Sequence, residues 1–361
     1  MSMFVTVLMP VYNADVHLEE AIESILVQTH ADIELLIIDD ASTDHSIDII
    51  KSFNDKRIRL IYHTQNKGIR DTLNEGIKMA SYELIARMDA DDISHPWRLQ
   101  KQVDYLLKHP ECAMVSSLAK VIDKERNFVT SYDPYRLNTY YGLYFDCYIC
   151  HSSVMYRKSS VQSVGNYSLE YAEDFDLWWK LSRVYKIHTL QEPLLLYRIH
   201  DNNHSKINKR PEYDEAERKI VQRNFHYLLG DLTQIPNEYI ACYNYSFKSL
   251  LLSGNFNEVR LCMDTLDNIN RHILSIENPN RNGDAILCSA KEKKRKILYE
   301  LGLSLPYFQM IRLLIHHQYY SLIKRVTLKK VKRHVVVKRR IIREMMSKKR
   351  KFSWHVLLWN N

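Results

Sequence analysis

Three short clusters in this chain hold side chains able to do chemistry together. Met88-Asp89-Ala90-Asp91-Asp92 places three carboxylates within four residues. Side by side they repel one another, and a hard divalent cation such as Mg2+ or Mn2+ relieves that repulsion, because it takes oxygen ligands and shares them with phosphates. A helix cap ahead of Pro96 accounts for Asp92 but not for all three acids. Glu173-Asp174 lies within Tyr171-Ala172-Glu173-Asp174-Phe175-Asp176-Leu177-Trp178-Trp179. At a helix start such a pair gains from the helix dipole. Beside a bound substrate, a carboxylate whose pKa is raised by aromatic neighbours is a general base for a hydroxyl. Tyr197-Arg198-Ile199-His200 adds a guanidinium suited to phosphate and an imidazole suited to a metal shell.

Such groups need elements to position them. Phe4 to Met9 is a short β-branched run ended by Pro10, followed over residues 15–28 by apolar positions at helical spacing. Glu34 to Ile38 is a second buried strand, and Ser42 and Asp44 can cap the helix after it. Arg57 to Tyr62 reads as a third strand, residues 70–80 as a helix, and Tyr82 to Met88 as a fourth strand. Alternating strands and helices predict a mostly parallel, Rossmann-like α/β sheet covered on both faces. Ligands bind beyond the carboxyl ends of such strands. Those ends carry Tyr12 and Asn13, then Asp39 and Asp40, then Asn66 and Gly68, then Asp89, Asp91 and Asp92. A helix follows over 96–108 with Pro96 in its first turn, more strands over 113–160, and an amphipathic helix over 172–183. From about residue 210 the pattern is largely helical, with a helical hairpin around Gly254 and a loop over Asn268 to Asp284.

Composition removes several classes. The 8 glycines never come closer than eight residues apart, which excludes GxGxxG, GxxxxGK and GxSxG. No HExxH occurs. The 6 cysteines are scattered, and Cys147 and Cys150 form a lone CxxC, so neither a disulfide framework nor a metal knuckle is expected. No basic n-region with an apolar stretch opens the chain, and no apolar run is long enough to span a bilayer. The net charge of +8 is uneven: residues 324–351 hold 14 Lys and Arg with one acid, Glu344. The remainder, with 37 basic and 42 acidic residues, is mildly acidic.

Six segments occur in a telling order: Met9-Pro10-Val11-Tyr12-Asn13, Ile38-Asp39-Asp40-Ala41-Ser42-Thr43-Asp44, Asn66-Lys67-Gly68, Met88-Asp89-Ala90-Asp91-Asp92, Glu173-Asp174 and Tyr197-Arg198-Ile199-His200. Together, over residues 3–205, they resemble a family 2 glycosyltransferase with the GT-A nucleotide-diphospho-sugar transferase fold. The resemblance implies a UDP-sugar donor. It assigns Pro10, Tyr12 and Asn13 to the nucleotide pocket, with Tyr12 near the uracil, and Asp40 to the uracil N3 proton. Asn66, Gly68 and Arg70 would lie close to the nucleotide. Asp89 and Asp91 would form the DxD signature, with Asp89 toward the ribose. Asp91 and Asp92 would hold Mg2+ or Mn2+ on the diphosphate, with His200 joining the metal. Asp174 would be the catalytic base, with Glu173 beside it, and His151 to Met155 would border the acceptor. Arg198 would offset charge on the leaving group. A single displacement would invert the anomeric carbon.

The implied organisation is a glycosyltransferase domain over 1–209, a helical region over 210–309 and a basic amphipathic tail over 310–361. In the tail, Leu328, Val331, Val335, Ile342 and Met345 fall near helical spacing, and Phe352, Trp354, Leu357, Leu358 and Trp359 close the chain. That combination suits an anionic membrane surface at the cytoplasmic face, where lipid-linked saccharide acceptors sit. Core packing of the same apolar residues is the rival. A sugar nucleotidyltransferase is disfavoured, because Pro10 to Ala14 holds no glycine. A nucleic-acid partner is not expected, because the acidic clusters would repel phosphates without a metal.

Overall fold

The computed structural model describes residues 3–132, 138–200, 210–230 and 234–332. Among them nine strands form one mixed sheet: β1 (Val5–Val11), β2 (Ile33–Asp39), β3 (Ile58–Tyr62), β4 (Leu84–Arg87), β5 (Ile93–Ser94), β6 (Cys112–Ile122), β7 (Phe128–Tyr132), β8 (Met155–Arg157) and β9 (Lys186–Arg198). Their order is β3-β2-β1-β4-β8-β6-β9-β5, with β7 beside β6. The first four strands run parallel, as the alternating pattern requires. Beyond β4 the expected mostly parallel sheet becomes mixed. Strand β8 is antiparallel to β4 and β6, β5 to β9 and β7 to β6, while β6 and β9 run parallel.

Burial explains the strand sequences. Every residue of β1 is buried, which fits an apolar run covered on both faces. The helix Leu18–Leu26 buries Leu18, Ala21, Ile22 and Ile25. Helix Ile69–Met79 presses Gly76 so close to Leu8 that a Cβ there would collide with its side chain. Pro10 does not end the first strand but lies inside it. The pairing of β1 with β4 stops at Leu8, so the missing N–H of Pro10 falls where no β4 partner requires it.

Two compact units divide the chain. One comprises Met1–Ile235 with Ile269–Ser289, the other Pro236–Asn268 with Ala290–Asn361. The expected boundaries at 209/210 and 309/310 are revised. Helix Arg210–Leu229 belongs to the sheet-containing unit, where Arg223 pairs with buried Asp176 and Asn224 Nδ2 donates to the Leu143 carbonyl at 2.9 Å. The second boundary would cut helix Tyr307–His316, whose Met310, Leu313 and Leu314 are buried. The loop expected over Asn268 to Asp284 is helical as far as Ser275, because Ile269 and Ile273 continue the buried stripe of Leu266.

The second unit is helical. Buried Tyr243, Cys262, Leu266, Leu298, Leu301, Leu314 and Val326 form its interior. In helix 320–332, Leu322 and Val326 are buried, whereas Leu328 and Val331 are exposed. Lys330 Nζ donates to the carbonyls of Gly302, Leu303 and Leu305, a cation at a helix C-terminus. The start of the basic segment therefore packs within this unit. Val335, Ile342, Met345 and the closing aromatic residues lie outside the described residues. Among the described residues no helix is long and apolar enough to cross a membrane.

Candidate active site

The loops after β1 and β2 are laced together at the sheet rim. The Asn13 N–H donates to Ser42 Oγ at 2.9 Å, and Asn13 Oδ1 accepts from the Thr43 N–H at 2.8 Å. The Ala14 and Asp15 N–H groups donate to Ser46 Oγ and Asp44 Oδ2, each at 3.0 Å. Asn13 has a left-handed backbone, φ 49°, which asparagine tolerates better than most residues. Tyr12 stands 44% exposed between these anchors, its ring open to stacking.

Asp40, expected at the uracil N3 proton, and Asp39 sit side by side at the end of β2 with different contacts. Both Asp40 oxygens hold the next loop: Oδ1 lies 2.6 Å from His63 Nδ1 and accepts the Lys67 N–H, and Oδ2 accepts the Gly68 N–H at 2.8 Å. Asn66 Nδ2 donates to the Asp40 carbonyl, and Gly68 turns the chain at φ +84° into helix Ile69–Met79. Asp39 Oδ1 is fully buried and without a hydrogen-bond partner, while Asp39 Oδ2 accepts the Ser42 N–H. Arg70 pairs with neighbouring Asp71.

Past β4, the carboxylate oxygens of Asp89, Asp91 and Asp92 come within 4.8 Å of one another. Asp89 pairs with buried Arg87 and accepts from Ser152 Oγ at 2.6 Å. Ser152 Oγ in turn accepts from Arg87 Nη1 and from the Asp89 N–H. Asp91 Oδ2 lies 2.9 Å from His200 Nε2. Asp92 is completely buried; its Oδ1 accepts the Arg198 N–H, and its Oδ2 has no partner. Burial, with Asp91 and Asp89 adjacent, holds the Asp92 carboxyl well above the usual carboxylate range. An orphaned buried oxygen among clustered carboxylates is the donor set a hard divalent cation satisfies, so the residues fit Mg2+ or Mn2+.

Arg198 has a different neighbourhood from the expected leaving group. Its guanidinium is 1% exposed. Nε donates to the Asp91 carbonyl at 2.9 Å, and Nη2 to Glu20 Oε2 at 2.5 Å. It therefore braces the acidic turn from behind, with its donors engaged inside the fold.

Glu173 and Asp174 open helix Glu173–Val184, entered through left-handed Ala172. Asp174 Oδ1 accepts the Phe175 N–H at 2.7 Å, and the Cys147 thiol donates to Oδ2 at 3.8 Å. Glu173 Oε2 is buried without a partner. Desolvation, then the charge of Asp174, pushes Glu173 up to about 8. Desolvation also raises Asp174, opposed by the Phe175 N–H and by Arg87. His151 is half-buried, its Nε2 2.8 Å from the Tyr167 hydroxyl, and desolvation, then Arg87, push its imidazole well below its usual pKa.

Several residues here escape a motif search. Arg87, fully buried, joins the two acid groups: it pairs with Asp89, and its charge acts on Glu173 and Asp174. Its only sequence signal is a lone cation at the end of an apolar strand. Arg98 supports that strand end by donating to the Arg87 carbonyl at 2.6 Å. His17 meets His200 with ring centroids 5.5 Å apart. Helix Arg210–Leu229 brings Tyr213 against Tyr171, ring centroids 5.3 Å apart. It also brings Glu217, pushed up to about 7 by burial and then Asp146.

The comparisons agree with this geometry. The family model for glycosyl transferase family 2 matches residues 6–165. A glycosyltransferase of Haemophilus influenzae is 32% identical over 63% of this chain and 75% of its own length. The O-antigen biosynthesis glycosyltransferase WbnJ of Escherichia coli is 31% identical over 56% of this chain and 82% of its own. The fold matches that of S. aureus TarS, solved with UDP-GlcNAc, at TM-score 0.53 and 16% identity over 82% of this chain and 90% of that one. It also matches mannosyltransferase PcManGT of Pyrobaculum calidifontis, solved with GDP-Man and Mn2+, at TM-score 0.51 over 81% and 86%, with 18% identity. With this GT-A-type sheet, its helical C-terminal region and these relatives, the chain belongs to glycosyl transferase family 2 and is a glycosyltransferase.

Proposed function

We propose that this enzyme takes its sugar from a UDP-sugar and transfers it, with inversion, to a hydroxyl of a saccharide or lipid-linked saccharide in cell-surface polysaccharide assembly. The observation that carries the reading is the gathering of two unlike acid groups about buried Arg87: a metal-type triad at Asp89, Asp91 and Asp92, and the desolvated pair Glu173 and Asp174. Tyr12 lays its ring against the base, and Asp40 accepts its N3–H. The turn from Asn66 to Gly68, held by Asp40, borders the nucleotide. A divalent cation, when bound at Asp91 and Asp92 beside His200, offsets charge on the diphosphate. Asp174 takes the proton of the acceptor hydroxyl as its oxygen attacks the anomeric carbon. The bond from that carbon to the diphosphate oxygen breaks, and its electron pair leaves with the phosphate. One displacement inverts the centre. Tyr171 and Tyr213 supply ring surface, and Glu217 a polar contact, on the acceptor side.

The O-antigen relative supports the polysaccharide context, and the neighbours solved with UDP-GlcNAc or with GDP-Man and Mn2+ support a metal-assisted nucleotide-sugar donor. The test is release of nucleoside diphosphate from UDP-Glc, UDP-Gal, UDP-GlcNAc, UDP-GalNAc and GDP-Man, with and without EDTA. Release from a UDP-sugar that stops with EDTA and returns with Mn2+ is expected. Release indifferent to EDTA, or confined to GDP-Man, overturns the corresponding part.

The same reading places the enzyme peripherally at the inner face of the plasma membrane. Its support is the 14 Lys and Arg in 324–351 and the Trp- and Leu-containing end of the chain. Co-sedimentation with anionic vesicles but not neutral ones is expected; equal retention by both argues against it.

A further inference from the structure

A second cluster of metal-type ligands lies in the helical unit, apart from the nucleotide chemistry. Asp264, on helix Phe256–Ser275, and the consecutive His316 and His317, at the end of helix Tyr307–His316, bring one ligand atom each within 4.8 Å of one another. His316 Nε2 is 3.1 Å from Asp264 Oδ1, and His317 Nε2 is 3.9 Å from the same oxygen. Four-coordinate Zn2+ with bonds near 2.0–2.1 Å sets its ligand atoms about 3.3 Å apart. The observed separations straddle that value.

The independent observation is His317. It is 7% exposed, and its Nε2 is buried with no hydrogen-bond partner although it faces Asp264. Its other nitrogen, Nδ1, lies 3.4 Å from Asp267 Oδ2, which also receives Lys294 Nζ at 2.6 Å. An Nδ1–H directed at Asp267 leaves a bare lone pair on Nε2. Two acceptors, that lone pair and the Asp264 carboxylate, then face each other across a gap a cation would fill. Metal-bound histidines are oriented this way, with a carboxylate behind the ring fixing the tautomer. Asp264 and Asp267 stand one helical turn apart, so one helix supplies both the ligand and the orienting group. Two imidazoles and one carboxylate suit Zn2+ and not Mg2+, which prefers oxygen alone.

We infer that Asp264, His316 and His317 form a Zn2+ site that ties helix Phe256–Ser275 to the end of helix Tyr307–His316, with a fourth position left for water. A plain ion pair between protonated His316 and Asp264 is the rival.

The test uses the full chain, stripped with a chelator and titrated with Zn2+ against a chromophoric competitor in excess Mg2+. One tight equivalent is expected. Asp264→Asn and His316→Ala should each weaken it at least tenfold, while Asp91→Asn keeps it. Zn2+ should raise Tm in the parent and not in the first two variants. Equal binding by parent and Asp264→Asn, or no tight equivalent in the parent, overturns the site. Should the variants fail to fold, Co2+ substitution in the parent decides. An intense tetrahedral spectrum supports the site, and a weak octahedral one overturns it.

Discussion

The rim at the ends of β1 to β3 and the corner at Glu173 and Asp174 use the same functional group in opposite ways. At the rim, Asp40 is surrounded by donors: His63, the Lys67 N–H and the Gly68 N–H. Such a carboxylate is a structural clamp that shapes the loop from His63 to Gly68. At the corner, Glu173 has a buried oxygen without a partner and a pKa near 8, and Asp174 is raised by the same desolvation. Donors fix a carboxylate as an anion, whereas desolvation with few donors lets it exchange a proton. The acidic turn at Asp91 and Asp92 shares features of both, braced by Arg198 yet holding an orphaned oxygen.

That contrast breaks most decisively at Asp174. Asp174→Asn should lower kcat by about 10^3-fold while leaving UDP affinity nearly unchanged; steady-state rates and calorimetry check both, and equal losses would put Asp174 in binding. Asp91→Asn comes next: roughly 10^2-fold less activity at limiting Mn2+, partly restored by excess metal, read from metal titrations of the rate. Third is pH. Glu173 titrates near 8 in the folded chain against an ordinary 4.5, so the native state keeps a proton that the unfolded chain releases between those values. Stability from this group is complete below about 4.5 and is lost as pH rises toward 8. Glu173→Gln should flatten that decline, a gain on the order of a few kcal/mol at pH 9 in urea unfolding. Asp40→Ala should cost about 1–3 kcal/mol through its orphaned donors, visible in the same unfolding curves. Gly68→Ala should cost a similar amount, about 1–3 kcal/mol, in the same curves: a Cβ there meets open space, but φ +84° with ψ 163° is a conformation essentially only glycine adopts.

Much of the sheet-containing unit was legible. Alternating apolar runs gave β1 to β4, and the polar residues at their ends do line one rim. The mixed half was not legible: β8 is three residues long, and β6 and β9 pair across more than 60 residues of chain. The site divides the same way. The acidic motifs stand out as residue types, but Arg198 and Arg87 could not be told apart by type. Both are arginines at strand ends. One is turned inward against Glu20 and the Asp91 carbonyl, the other joined to Asp89. The His316–His317 pair carried no spacing signal, because its partner Asp264 is 52 residues away on another helix.

The sequence by itself determined the chemistry available: a family, a carboxylate-rich rim, a carboxylate pair among aromatic rings and a basic C-terminal segment. These are properties of residue type and order, which periodicity and motif expose. Only the tertiary structure decided which carboxylates are tied up by donors, which are desolvated, and which buried atoms lack a partner. Those outcomes depend on desolvation and on donors brought from distant segments, as Ser152 is brought to Asp89 and Arg87 to Glu173. Desolvation and pairing are set by packing in three dimensions, and no local stretch of chain encodes them.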